Sequence, residues 1–93
     1  FGFGNKYVAV FAANDEVALG AATAFTEKGL MPIIVGFDAI QEARDAVESG
    51  ALFATIAQNP FEMGKTAVSV VQLFRSGKSP DKDIIIPVEA VRK

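Results

Sequence analysis

Asn14, Asp38 and Gln58 share a placement: each closes a short apolar, β-rich run and precedes a stretch of helical periodicity. An amide offers donors and an acceptor, and a carboxylate accepts from two hydroxyls, so the trio matches the alternating demands of a polyhydroxylated ligand. No nucleophile or general base is needed for such work. Asp15, Phe37, Asn59 and Phe61 flank the trio and are candidate neighbours of the ligand. Phe37 and Phe61 can lean on the apolar face of a ring, although Phe37 also suits a core position. Asn, Asp and Gln in such places also cap helices and close turns, a local role that competes for the same atoms. Asp15 and Glu16 fit the first turn of a helix, where the macrodipole favours carboxylates, better than an acid–base pair.

The rest of the composition narrows the chemistry further. Cysteine and histidine are both absent, which removes thiolate and imidazole catalysis, disulfides and nearly every transition-metal site. No metal and no cofactor are expected, and the chain reads as a binder and not as an enzyme. A net charge of -2, with basic and acidic residues scattered through the chain, gives no cationic stripe to follow a phosphate backbone. Nucleic acid is therefore excluded as a partner. Two apparent phosphate motifs fail on context. Gly64-Lys65-Thr66 lacks the glycine a phosphate loop needs five positions earlier and falls inside a helical pattern, while Phe1-Gly-Phe-Gly has the wrong spacing and precedes a strand. No apolar run approaches the length of a membrane span. The chain begins at Phe1 without an initiator Met and is expected to be part of a longer protein.

The elements that must position the trio follow from periodicity. Residues 8–11 form a first strand, Asn14 and Asp15 start a helix, and Val17, Ala21, Ala24 and Phe25 mark its inner face up to Gly29. Ile33, Ile34 and Val35 form a second strand. Ile40, Ala43 and Val47 are the inner face of a second helix ending at Gly50, and Glu42, Arg44, Asp45 and Glu48 form its solvated face. Residues 52–57 are a third strand. Asn59, Pro60 and Glu62 supply a cap, a first-turn proline and an N3 carboxylate for a third helix, with Met63, Ala67, Val71 and Phe74 as its buried face up to Gly77. Residues 84–91 form a last strand whose Pro87 suits a sheet edge. With 51% hydrophobic residues, the 93-residue chain can bury a core. Strands buried on both faces and alternating with amphipathic helices predict an α/β fold, a three-layer sandwich with a mainly parallel sheet. Such sheets bind ligands beyond the carboxyl ends of their strands, where Asn14, Asp38 and Gln58 fall.

Three segments taken together carry a resemblance: Phe11-Ala-Ala-Asn-Asp-Glu-Val-Ala-Leu-Gly-Ala21, then Val35-Gly-Phe-Asp38, then Ala54-Thr-Ile-Ala-Gln58 with Pro60. In order and spacing they resemble the ribose-binding group of periplasmic sugar-binding proteins. The resemblance implies that residues 1–93 are a single partial domain, a piece of the C-terminal lobe of a two-lobed, periplasmic binding protein-like fold. It implies that Asn14, Asp38 and Gln58 bind sugar hydroxyls and that the full-length protein serves an ABC-type sugar importer, with the transporter's membrane subunits as partners. A periplasmic or extracellular bacterial location goes with that role. Ala39 departs from the glycine that many relatives carry after the Asp, and its methyl stiffens the turn beside Asp38.

Two other readings stand beside it. The ligand-sensing domains of lactose-repressor-type regulators share this fold and would place the chain in the cytoplasm. Alternatively, a lobe piece with uncovered sheet edges and faces binds no ligand alone and self-associates, as a homodimer for example.

Overall fold

The alternation of short apolar runs with helical stretches folds largely as read. The computed structural model describes residues 9–93. Val8, read as the start of the first strand, and the Phe1-Gly-Phe-Gly segment lie outside the described residues. The elements are β1 (Ala9–Phe11), α1 (Asp15–Glu27), β2 (Ile33–Phe37), α2 (Gln41–Ser49), β3 (Ala54–Ala57), α3 (Pro60–Arg75) and β4 (Glu89–Arg92). They fall into two compact units: residues up to Gln58 with Glu89–Lys93, and Asn59–Val88.

In the first unit the strands lie in the order β1-β2-β3-β4. β1 pairs with β2 and β2 with β3 in parallel, with Val10 opposite Ile34 and Gly36 opposite Thr55. Consecutive parallel neighbours joined by right-handed crossovers put both connecting helices, α1 and α2, on one face of the sheet. The core lies between them and is built from Ala18, Ala22 and Phe25 of α1, Ile34 of β2, Ala43 and Val47 of α2, and Leu52 before β3. Burying each of the larger side chains contributes about 1.5–3 kcal/mol. Sheet and α1/α2 layer are two of the expected layers, and the mainly parallel sheet is as expected.

The last strand differs from its sequence reading in length and direction. It begins at Glu89, after Pro87, because proline has no N–H to give a ladder. It runs antiparallel to β3, with Glu89 opposite Ala57 and Arg92 opposite Ala54, at the edge of the sheet. The chain therefore re-enters the sheet at the end where β3 leaves it. The connection between β3 and β4 is long, made of the 16-residue α3 and of residues 76–88, which carry neither helix nor strand.

The inner face of α1 is rotated from the predicted one. Asp15, Ala18, Ala22 and Phe25 are buried, whereas Val17 and Ala24 are exposed and Ala21 is half-buried. The stripe begins on a carboxylate, which a reading of apolar spacing passes over. Its small residues let the helix come close to β2. A Cβ placed on Gly36 would collide with Asp15 Oδ1 and lie 3.1 Å from Ala18 Cβ. Burial on both faces of the sheet is also not observed. Ile34 and Gly36 are buried toward the helices, while Ile33, Val35 and Phe37 on the alternate face are half-buried.

In the second unit, α3 starts as predicted. Asn59 Oδ1 accepts from the Glu62 N–H at 3.1 Å and Pro60 occupies the first turn. Gly77, at φ +80°, closes it with the Lys78 N–H donating to Leu73 O at 2.9 Å. Gly64, Lys65 and Thr66 lie inside the helix, where no phosphate loop can form. The predicted buried face of this helix is not buried: Met63, Ala67, Val71 and Phe74 are all exposed, and no residue of α3 is buried in this chain. An amphipathic helix is stabilised by what covers its apolar stripe, and this chain leaves that stripe bare.

Candidate site at the carboxyl rim of the parallel strands

Asn14, Asp38 and Gln58 follow the carboxyl ends of β1, β2 and β3, three adjacent parallel strands. Neighbouring strands lie about 4.8 Å apart, so the three positions span roughly 10 Å along one rim. Two of the side chains meet directly: Gln58 Nε2 donates to Asp38 Oδ1 at 2.7 Å. Asn14 is the N-cap of α1 and uses only its oxygen for that, Oδ1 accepting from the Val17 N–H at 2.9 Å. Asn14 Nδ2, Asp38 Oδ2 and Gln58 Oε1 have no hydrogen-bond partner among the described residues. The rim thus presents one donor, one charged acceptor and one neutral acceptor.

Each position is held by its own backbone. The ladders continue past the strand ends, with the Ala12 N–H donating to Val35 O at 2.9 Å and the Asp38 N–H to Ile56 O at 2.8 Å. Asp38 and Ala39 then turn the chain with φ of +121° and +57°. An L-residue avoids that region unless its surroundings compel it. Here they do. The Ala39 N–H donates to Thr55 Oγ1 at 3.1 Å, Ala39 O accepts from Arg44 Nε at 3.0 Å, and the Ile40 N–H donates to Asp15 Oδ2 at 2.9 Å. Arg44 is exposed, as expected of the solvated face of its helix, and it also closes this turn.

Asp15, expected beside the ligand, lies beneath the turn with no exposed surface. Its Oδ1 accepts from Thr55 Oγ1 at 2.6 Å, so both carboxylate oxygens are taken. Phe37 is half-buried, its ring centroid 6.5 Å from that of the exposed Phe11. Gln58 belongs to the first unit, and Asn59 and Phe61 to the second, where Asn59 caps α3 and Phe61 is exposed. Thr55 and Gly36 are the residues that sequence reasoning missed. A lone glycine inside a strand pattern marks a close backbone approach, and Gly36 between Val35 and Phe37 is that signal. A cavity of about 490 Å³ opens at the other end of the strands, lined by Phe25, Leu30, Met31, Ile33, Phe53 and Arg92 among others. Its lining is mainly apolar and includes none of the three rim residues. No helix among the described residues is long and apolar enough to cross a membrane.

Known proteins resemble this chain in sequence and in fold. Residues 3–79 match the model of the periplasmic binding protein domain. The chain is 38% identical over 81 residues to the ribose import binding protein RbsB of Bacillus subtilis, covering 87% of this chain and 27% of that protein. It is 42% identical over 73 residues to the D-allose-binding periplasmic protein of Escherichia coli, covering 75% of this chain and 24% of the relative. Among solved structures, an ABC transporter solute-binding protein from Agrobacterium vitis with bound D-fucose superposes with a TM-score of 0.75 at 30% identity, over 91% of this chain and 30% of that one. The chain therefore spans 24–30% of the length of these relatives. Parallel strands ending in polar side chains along one rim, in a sequence whose family match covers most of its length, place the chain in the periplasmic binding protein family.

Proposed function

We propose that the protein carrying this chain binds a monosaccharide or similar polyol as the solute-binding component of an ABC-type importer. In this reading Asn14, Asp38 and Gln58 hydrogen-bond the sugar's hydroxyls. The observation that carries it is the Gln58–Asp38 bond of 2.7 Å across two loops, which fixes an amide and a carboxylate side by side with an unused acceptor on each. A sugar hydroxyl donates to one acceptor and accepts from a donor such as Asn14 Nδ2, so the rim meets a polyol without any reacting group. The role is transport and not catalysis, outside the cytoplasmic membrane, with the importer's membrane subunits as the partners that receive the ligand. The names of the relatives, a ribose import protein and an allose-binding protein, support this reading over that of a cytoplasmic regulator. Residues 1–93 supply part of one lobe, and the remaining sugar contacts come from elsewhere in the full-length protein.

Titration calorimetry of the full-length protein with D-ribose, D-allose and D-fucose tests the assignment. Loss of a charged acceptor to hydroxyls costs about 1.5–3 kcal/mol, so Asp38→Ala weakens the tightest sugar roughly tenfold to 150-fold. Unchanged affinity in Asp38→Ala would refute the site, and no binding of any pentose or hexose by the unaltered protein would refute the ligand class.

A further inference from the structure

We infer that Asp15 and Thr55 are positioning residues, a buried latch that ties the three rim loops into one geometry before any ligand arrives. The inference rests on the proposed sugar site. Asp15 follows Asn14 in the chain, so its carboxylate is anchored to the first loop by one peptide unit. Oδ2 accepts from the Ile40 N–H, in the second loop, and Oδ1 accepts from Thr55 Oγ1, three residues before Gln58 in the third. Thr55 Oγ1 returns to the second loop by accepting from the Ala39 N–H. Both side chains have no exposed surface. The carboxylate reaches across β2 to β3 only because Gly36, opposite Thr55 in the sheet, has no Cβ to stand in its path.

The chemistry of the latch explains the backbone above it. Asp38 and Ala39 both have φ in the left-handed half of the map, and a chain left to itself relaxes from there. Two buried acceptors waiting for the Ala39 and Ile40 N–H groups oppose that, because relaxing would leave the buried Asp15 Oδ2 without a donor and take from Thr55 Oγ1 the one it accepts from. The turn so held sets where Asp38 projects, and Asp38 in turn holds Gln58. Ligand then meets a formed rim and does not have to order three loops, which is where preorganised sites gain affinity. Arg44, donating to Ala39 O from the exposed side, closes the same turn from outside.

The test uses the full-length protein and D-ribose, D-allose and D-fucose as probes, with Thr55→Val, Thr55→Ser and the core variant Val47→Ala as a reference of comparable stability loss. Thr55→Val weakens the tightest sugar at least tenfold, with a more unfavourable binding entropy, and speeds hydrogen exchange at the Ala39 and Ile40 amides at least tenfold. Thr55→Ser, which keeps the hydroxyl, stays within twofold on both measures, as does Val47→Ala. Should Thr55→Val not fold, Asp15→Asn takes its place with the same expected losses. Wild-type affinity and exchange in either variant, while Asp38→Ala still weakens binding at least tenfold, would overturn the latch. If Asp38→Ala binds normally, the sugar-site assignment is what fails, and amide exchange at Ala39 and Ile40 alone decides the latch.

Discussion

Replacing Gly36 by alanine adds one methyl group at the point where α1 lies closest to the sheet. That methyl would collide with Asp15 Oδ1 and sit 3.3 Å from Asp15 Cγ and 3.1 Å from Ala18 Cβ. Neither neighbour yields easily. Ala18 Cβ is fixed to a buried helix backbone, and the Asp15 carboxylate is held by Thr55 on one oxygen and Ile40 on the other. Either α1 lifts off the sheet or Asp15 swings away. The first is overpacking, costing about 1–3 kcal/mol, and the second breaks a charge-assisted hydrogen bond, costing about 1.5–3 kcal/mol. Removing a glycine from a strand offsets about 0.5–1 kcal/mol of that. The net expectation for Gly36→Ala is a loss of about 0.5–2.5 kcal/mol, an appreciable share of the roughly 5–15 kcal/mol that holds a typical protein folded. Equilibrium urea unfolding of the full-length protein reads it as a lower midpoint at unchanged slope. A double-mutant cycle isolates the cause, since in an Asp15→Ala background the obstructing oxygen is gone. Gly36→Ala should then cost at least about 1 kcal/mol less than it does alone. Simple additivity of the two changes, or a neutral Gly36→Ala, would refute the packing argument.

Three further outcomes are expected. Ala39→Gly relieves a left-handed alanine, worth about 1–2 kcal/mol, against about 0.4–1 kcal/mol of added freedom in the unfolded chain, so thermal unfolding should shift upward by the equivalent of roughly 0.5–1 kcal/mol. A lower melting temperature would contradict the strain assigned to that turn. Asn14→Asp keeps the capping oxygen and discards the amide donor, so stability should hold within about 0.5 kcal/mol while sugar affinity falls at least tenfold, whereas Asn14→Ala loses about 1 kcal/mol of stability as well. Equal sugar affinity in Asn14→Asp and the unaltered protein would remove Asn14 from the site. The isolated 93-residue chain should self-associate, because Phe11, Phe61, Phe74 and Ile85 are 63–87% exposed, and sedimentation that remains monomeric at high concentration would count against this.

The element order was legible in the sequence because each helix carries its own punctuation. Asn14 and Asn59 cap two helices as their types predict, and Gly29, Gly50 and Gly77 all adopt positive φ where the helical patterns stop. The strand-end placement of Asn14, Asp38 and Gln58 followed from the same punctuation. What was not legible depends on contacts distant in the chain. The inner face of α1 begins at Asp15, and only Ile40 and Thr55, 25 and 40 residues on, explain why a carboxylate is buried there. The direction of β4 is set by a connection whose path no local pattern encodes, and its start by Pro87. Met63, Val71 and Phe74 form a good amphipathic stripe, yet a stripe says only that a surface wants covering and not that this chain covers it.

Capping a helix and binding a ligand look like rival uses of one side chain, but the cap at Asn14 engages only the oxygen of its carboxamide. A capping bond needs an acceptor, because the helix start has spare N–H groups, and the carboxamide meets that need with Oδ1 alone. Nδ2 lies on the same planar group, so the bond that fixes the oxygen also fixes the direction in which the donor points. The cap therefore removes rotamer freedom that a ligand would otherwise have to freeze, and lowers the cost of binding. Asp38 and Gln58 follow the same logic with each other: the shared bond uses one oxygen and one N–H, and leaves the second oxygen of the acid and the carbonyl of the amide without a partner among the described residues. A rim built this way commits one atom of each polar group to rigidity and leaves another unpaired, which is what the proposed polyol site asks of three short side chains at strand ends.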